Sequence, residues 1–247
     1  MIKEALQYIV GLSAAKVQDV ILPDGTCQTY SDKPLTRLTK HIPYADEICM
    51  NNLSSLIDYI KSGIDEMAEK MIIQVISPER VKLFSQLDEE RNRELLVDVK
   101  AQVPSFNFEM FVEHEAFIIN AQSKFIDDDM TDKALLLKCA GTVESGTVAD
   151  YGDDGVTQKA TVKTGIASKS DAVVPNPVKL KPFRTFVEVE QPISEFIFRI
   201  KQNKYDRIEC ALLEADGGAW KNEAMYNIKK YLENELADYK EQFTIIS

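Results

Sequence analysis

Three observations predict an α+β fold, with a mixed or antiparallel sheet packed against several helices. Two stretches carry apolar residues at helical spacing: Leu53, Leu56, Ile57, Ile60, Ile64 and Met67 in one, Trp220, Ala224, Ile228, Tyr231, Leu232 and Leu236 in the other. Elsewhere residues alternate, as in Leu95, Val97 and Val99 against Leu96, Asp98 and Lys100. These strand runs follow one another and then give way to a helix, without the regular βαβ alternation of a parallel α/β protein.

The bulk properties agree. A chain of 247 residues with 45% apolar content can bury a real core, and 28% charged residues is ordinary for a globular protein. A net charge of -11 opposes non-specific affinity for nucleic acid, because phosphates are repelled. Cys27, Cys49, Cys139 and Cys210 are scattered without a metal-ligand spacing, and His41 and His114 are the only histidines. No cofactor and no metal are therefore expected. The apolar run in Met1 to Gly11 is too short and interrupted for a signal peptide, and no run approaches the roughly 18 residues of a membrane span. Reduced thiols, a cytoplasmic location and no membrane association are the expectations.

In chain order, Ile2, Leu6, Ile9 and Val10 mark a helix over Met1 to Leu12. Val17–Leu22 and Thr26–Tyr30, joined by Pro23-Asp24-Gly25, read as a hairpin. Asn51 or Asn52 caps the next helix. Met71–Ile76 and Glu94–Val103 are strands, with the charged run Asp88–Arg93 turning between them. A helix follows over Phe108–Phe125, with Phe111, His114, Ile118, Ala121 and Phe125 on one face, then a shorter one over Asp132–Val143. Residues 144–170 turn polar and weakly alternating, which predicts an extended β-hairpin arm. Val178–Val189, Glu195–Lys201 and Arg207–Leu213 are strands, and Asp216-Gly217-Gly218 opens the last helix. The whole of 1–247 is taken as one domain, with the arm at 144–170 and a strand-helix subdomain at 173–247.

Candidate chemistry is sparse. Asp98-Val99-Lys100 ends an apolar strand, and an acid-x-Lys pair there is what a Mg²⁺-dependent nuclease uses, with Asp88, Glu89 or Glu90 as second carboxylate. A half-exposed strand face accounts for the same residues. Asp127, Asp128, Asp129 and Asp132 lack the alternation and closing Glu of a calcium loop and read as a solvated helix end. His114, between Phe111 and Ile118, reads as a core histidine with one hydrogen-bond partner. No nucleophile elbow and no phosphate-binding loop is present.

The densest candidate is Val178–Arg207. It holds seven basic residues against four acidic ones, interleaved with Phe183, Phe186, Phe196, Phe198 and Tyr205. Basic residues among aromatics on strands can form a single-stranded nucleic-acid platform. The competing reading, preferred in an acidic chain, makes the phenylalanines core and pairs the charges across strands. Lys181, Arg184, Arg199 and Trp220 are the candidate partner-binding residues.

Read together, several segments resemble a phage and prophage family of unknown function named for the YfdQ protein. They are Leu22-Pro23-Asp24-Gly25, Leu56-Ile57-Asp58-Tyr59, Glu113-His114-Glu115, Asp153-Asp154-Gly155-Val156-Thr157-Gln158, Leu180-Lys181-Pro182-Phe183-Arg184-Thr185-Phe186, Phe196-Ile197-Phe198-Arg199 and Glu214-Ala215-Asp216-Gly217-Gly218-Ala219-Trp220. The resemblance covers most of the chain by order and flavour. It implies expression in a bacterial host cytoplasm and carries over no catalytic residue. The leading expectation is a non-enzymatic phage accessory protein that self-associates and binds a host or phage macromolecule. An inhibitor of bacterial anti-phage defence, acting by protein occlusion or nucleotide sequestration, is the second. The nuclease centred on Asp98 and Lys100 is the third.

Overall fold

A computed structural model describes residues 2–13, 16–32, 35–37, 44–65, 70–88, 90–142, 151–153, 158–164, 168–173, 176–205 and 207–247. Met1–Tyr44 and Ala45–Ser247 form two compact units. In the first, α1 (Ile2–Ser13) precedes a three-stranded antiparallel sheet of β1 (Val17–Ile21), β2 (Cys27–Asp32) and β3 (Leu35–Arg37). The β1–β2 hairpin pairs Val17 with Ser31 and Ile21 with Cys27, closing over the predicted turn. Within that turn Asp24 accepts hydrogen bonds from the backbone N–H and hydroxyl of Thr26 at 3.0 and 2.7 Å.

The second unit is α+β; two larger sheets, each with its own helix pair, make up its core beside a smaller third sheet. Its elements are β4 (Ile48–Met50), α2 (Leu53–Ser62), β5 (Met71–Ser77), β6 (Arg80–Phe84), β7 (Leu95–Lys100), β8 (Val112–Glu113), α3 (His114–Lys124), α4 (Lys133–Thr142), β9 (Tyr151–Asp153), β10 (Gln158–Thr164), β11 (Ser168–Val173), β12 (Val178–Leu180), β13 (Ser194–Gln202), β14 (Ile208–Glu214), α5 (Ala219–Glu235) and β15 (Phe243–Ile246). The first sheet runs β15-β5-β6-β7-β4, antiparallel at its centre and parallel at both edges. Its inner residues Met71, Ile73, Val75, Val81, Leu83, Val97 and Val99 pack against Leu53, Leu56, Ile57 and Ile60 of α2 and Ile228, Leu232 and Leu236 of α5. The expected alternation in β7 holds: Val97 and Val99 are buried, while Lys100 is exposed.

The second sheet, β12-β13-β14-β8, is antiparallel throughout. Phe196, Phe198 and Ile200 of β13 and Ile208, Cys210 and Leu212 of β14 face Phe117 and Ala121 of α3 and Leu136 of α4. Of the phenylalanines of the basic-aromatic segment, Phe186, Phe196 and Phe198 are thus core, and Phe183 is half-buried. Segment 173–247 is divided between the sheets: β12, β13 and β14 build the second, whereas α5 and β15 complete the first. In the expected arm at 144–170, β9, β10 and β11 form a small antiparallel sheet in the order β11-β10-β9, while residues 144–150, 154–157 and 165–167 lie outside the described residues.

Several boundaries differ from the sequence reading for identifiable reasons. The helix begun at Asn52, whose side chain accepts from Ser55 N–H at 2.7 Å, stops at Gly63 in the left-handed region, so Ile64 is left exposed. Between the two predicted strands Met71–Ile76 and Glu94–Val103 lies β6, turned back at once through Pro78-Glu79. The third helix starts at His114, because Phe111 precedes the short strand β8. His114 Nε2 lies 2.6 Å from the Ala140 carbonyl, the single partner expected. Before α5, Gly217 and Gly218 both adopt positive φ, and Asp216 accepts from Gly218 N–H at 2.9 Å, which explains the Asp-Gly-Gly signal.

The thiols follow this architecture. Cys27 and Cys49 are exposed, while Cys139 and Cys210 are buried. Burial, with Cys139 as neighbour, pushes the Cys210 thiol up to about 12, and burial also raises Cys139. At pH 8 both buried sulfurs are therefore protonated and unreactive. A disulfide-exchange reagent is expected to label Cys27 and Cys49 in the native protein and all the cysteines only after denaturation, as read by mass spectrometry.

Candidate functional site

Part of Val178–Arg207 is organised by one loop, 181–193, which connects β12 to β13 and contacts the first sheet's β5–β6 turn and α2. Its backbone is organised by Gln191, a buried amide with every polar direction used. The side-chain carbonyl accepts from Arg184 and Thr185 N–H at 3.0 and 3.2 Å, and the amide donates to the Phe186 and Val189 carbonyls at 2.8 and 3.2 Å. Outward from this centre, the Thr185 hydroxyl donates to the Pro78 carbonyl in the β5–β6 turn. Glu188 accepts from Leu53 and Ser54 N–H at 2.8 and 3.2 Å, placing a carboxylate at the positive end of α2. Asn227 of α5 donates to the Glu190 carbonyl at 3.0 Å.

Arg184 stands in this loop only 7% exposed. Its guanidinium lies 4.0 Å from the Trp220 ring centroid and 5.3 Å from those of Phe108 and Phe196. It donates to Glu214 and to the Ser194 hydroxyl, each at 2.5 Å. Burial pulls the Arg184 guanidinium down to about 10, against the opposing pull of Glu214 and Asp216, so it remains a cation at neutral pH. Trp220 and Arg184, two of the predicted binding residues, are brought into contact, and their contact is internal.

Lys181 is also buried, between Asp128 at 3.0 Å and Glu190. The Glu190 hydrogen bond and then Asp128 raise its affinity for a proton. Arg199 lies on the other face of β13, half-buried, and donates to the Phe198 carbonyl at 3.4 Å. Lys201 pairs with its cross-strand neighbour Glu209 at 3.2 Å and sits 4.0 Å from the Phe111 ring centroid. Charges paired across strands are the arrangement that the competing sequence reading describes.

Asp98 is gripped by Arg80, whose Nε donates at 2.9 Å and whose Nη2 donates to the second oxygen, with Lys82 at 4.0 Å. The Arg80 fork holds the Asp98 carboxyl below its ordinary range. Lys100 lies across from Arg80 in the register and is exposed. Asp88 accepts from Asn92 N–H at 2.7 Å and closes its own turn, and Glu89 is outside the described residues. Asp128 serves Lys181, and Asp132 accepts from Lys179 N–H at 2.8 Å. Among the described residues no group of three or more His, Cys, Asp or Glu side chains is placed to hold a metal.

Sequence reasoning missed Thr185, Glu188, Gln191 and Ser194 as organisers of the loop. The available signal for the first three was polar residues confined between Pro182 and Pro192 amid dense apolar sequence; Ser194 follows the second proline. Fold and cluster together define an α+β protein whose most elaborate polar assembly joins two sheets. Comparison with known proteins finds no match: no family model fits the chain, and no curated protein or solved structure is similar to it. No helix among the described residues is long and apolar enough to cross a membrane.

Proposed function

We propose that this chain is a non-enzymatic accessory protein, phage- or prophage-encoded and acting in the bacterial host cytoplasm, which self-associates and works by binding a host or phage protein. One observation carries the binding reading: the apolar face of α1 is exposed. Ile2, Leu6, Ile9 and Val10, at helical spacing, are each more than half exposed. A 12-residue helix in water is marginal on its own, and an exposed apolar stripe of this kind marks a protein contact. Such a face suits a partner's apolar groove, filled by side chains one and two turns apart. Lys3 and Glu4 balance one another, so the strip is neutral on an acidic chain. Occlusion of a bacterial defence protein is one form such binding takes.

The consumption of Lys181, Arg184 and Asp98 by internal ion pairs favours this reading over nucleotide capture or Mg²⁺-dependent cleavage. The test is gentle isolation of the intact chain beside a Leu6→Glu/Ile9→Glu variant. A specific bacterial or phage protein is expected to copurify with the first and not with the second. Equal recovery with both, in a variant of unchanged circular dichroism, removes α1 as the binding face.

A further inference from the structure

Sheet edges are where strands from other chains attach, and folded proteins protect them with short strands, charges, prolines or covering segments. In the two larger sheets of the second unit, three of the four edges are guarded. β4 is three residues long and follows Asp46 and Glu47. The outer side of β12 is bonded to Asp132, whose N–H donates to the Lys179 carbonyl at 2.7 Å while its carboxylate accepts from Lys179 N–H. β8 has only two residues. β15 is different. Phe243-Thr244-Ile245-Ile246 contains no charge, proline or glycine, its register with β5 is regular, and among the described residues no strand pairs with its outer side.

We infer that β15 is the self-association surface, pairing antiparallel with β15 of a second copy to join two five-stranded sheets into one; this rests on the self-association proposed above. The alternation of the strand sets the register. The Gln242 carbonyl accepts from Met71 N–H at 2.8 Å, so the backbone groups of Thr244 and Ile246 point to β5 and those of Phe243 and Ile245 point outward. The outward groups are symmetric about Thr244. A two-fold axis there places Phe243 against the second copy's Ile245, and the reverse, each pair exchanging both of its backbone hydrogen bonds.

The same axis stands perpendicular to the sheet and keeps the helices of both copies on one side. The second copy's Phe243 and Ile245 then point toward the groove beside α5. That groove, of about 420 Å³, is floored by Leu236, Phe243 and Ile245 and rimmed by Glu233, Asn234 and Lys240. The strand itself carries no charge, so pairing two copies there sets no like charges directly opposite one another.

Thr244 is exposed and lies on the axis, opposite its own counterpart. The experiment is light scattering at tens of micromolar on the full chain, on Thr244→Lys, on Thr244→Glu and on their equimolar mixture, with Ile245→Pro as a backbone check. The wild type is expected at twice 27.9 kDa. Each Thr244 variant is expected at the monomer mass, since like charges directly opposite destabilise a pair, and the mixture is expected to recover the dimer. Ile245→Pro removes an outward N–H without touching the bonds to β5 and is expected to be monomeric; should it lose its circular dichroism, the Thr244 pair alone decides. A dimer that survives both Thr244 substitutions, or a mixture that does not recombine, overturns the β15 contact and leaves self-association standing. A monomeric wild type removes both.

Discussion

Arg184→Leu is expected to lower the stability of the protein by about 3 kcal/mol, within the range of about 3–5 kcal/mol for breaking a buried ion pair by removing one partner. The loss has two parts. Glu214 and the Ser194 hydroxyl lose the donor that satisfies them, and Ser194 is buried where water cannot replace it. The ring faces of Trp220, Phe108 and Phe196 also lose the cation stacked among them. Glu214 keeps about a quarter of its side chain exposed, which places the expectation at the lower end of that range. Arg184→Lys retains charge but not the planar fork and is expected to lose about half as much. In a double-mutant cycle with Glu214→Gln, measured by urea denaturation, the pair is expected to couple by about 1 kcal/mol or more. Additive losses would mean that Arg184 and Glu214 do not couple, and an Arg184→Leu protein as stable as wild type would show Arg184 to be dispensable for the fold and return it to the candidate ligand-binding residues.

The second large effect lies in the β13 core. Phe198 is fully buried and stacks on Phe117 of α3 with centroids 5.4 Å apart and planes 21° apart. Phe198→Ala is expected to cost about 3–5 kcal/mol, the transfer free energy of the ring together with the cavity it leaves. Phe198→Leu, which keeps much of the volume, is expected to cost about 1–2 kcal/mol. Val187, exposed in the loop between the sheets, is the control: Val187→Ala is expected to stay within about 0.5 kcal/mol of wild type. Equal losses at Phe198 and Val187 in denaturant midpoints would mean that the second sheet is not packed as described. Both predictions bear on function, since a platform of exposed aromatics would tolerate Phe198→Ala and fail only in binding.

The periodic elements were legible because their signal is local. Trp220, Ala224, Ile228 and Leu232 fall on one face of α5 through helical spacing alone, and each is buried. Phe196, Phe198 and Ile200 alternate along β13 and are buried with equal regularity. The Asp-Gly-Gly entry to α5 was legible too, because only glycine adopts two consecutive positive φ values without cost. By contrast, the four residues of β15 are too few to stand out as a period in sequence; β5, far upstream, fixes them as a strand by offering a parallel edge. The end of α2 depended on reading Gly63 as a stop rather than reading Ile64 as another turn of the stripe.

The candidate site shows the same division. Sequence by itself determined that this is an α+β chain with two apolar helix faces and a cluster of cations among phenylalanines, since spacing and composition are properties of neighbours along the chain. Only the tertiary structure decided which way those cations point. Arg184 is enclosed because Phe108, Ser194, Glu214 and Trp220 converge on it from distant positions, and Lys181 because Asp128 of the α3–α4 connection reaches it. A charged side chain reads alike in sequence whether it meets water or a buried carboxylate; burial and long-range pairing, which no local period encodes, settle the difference.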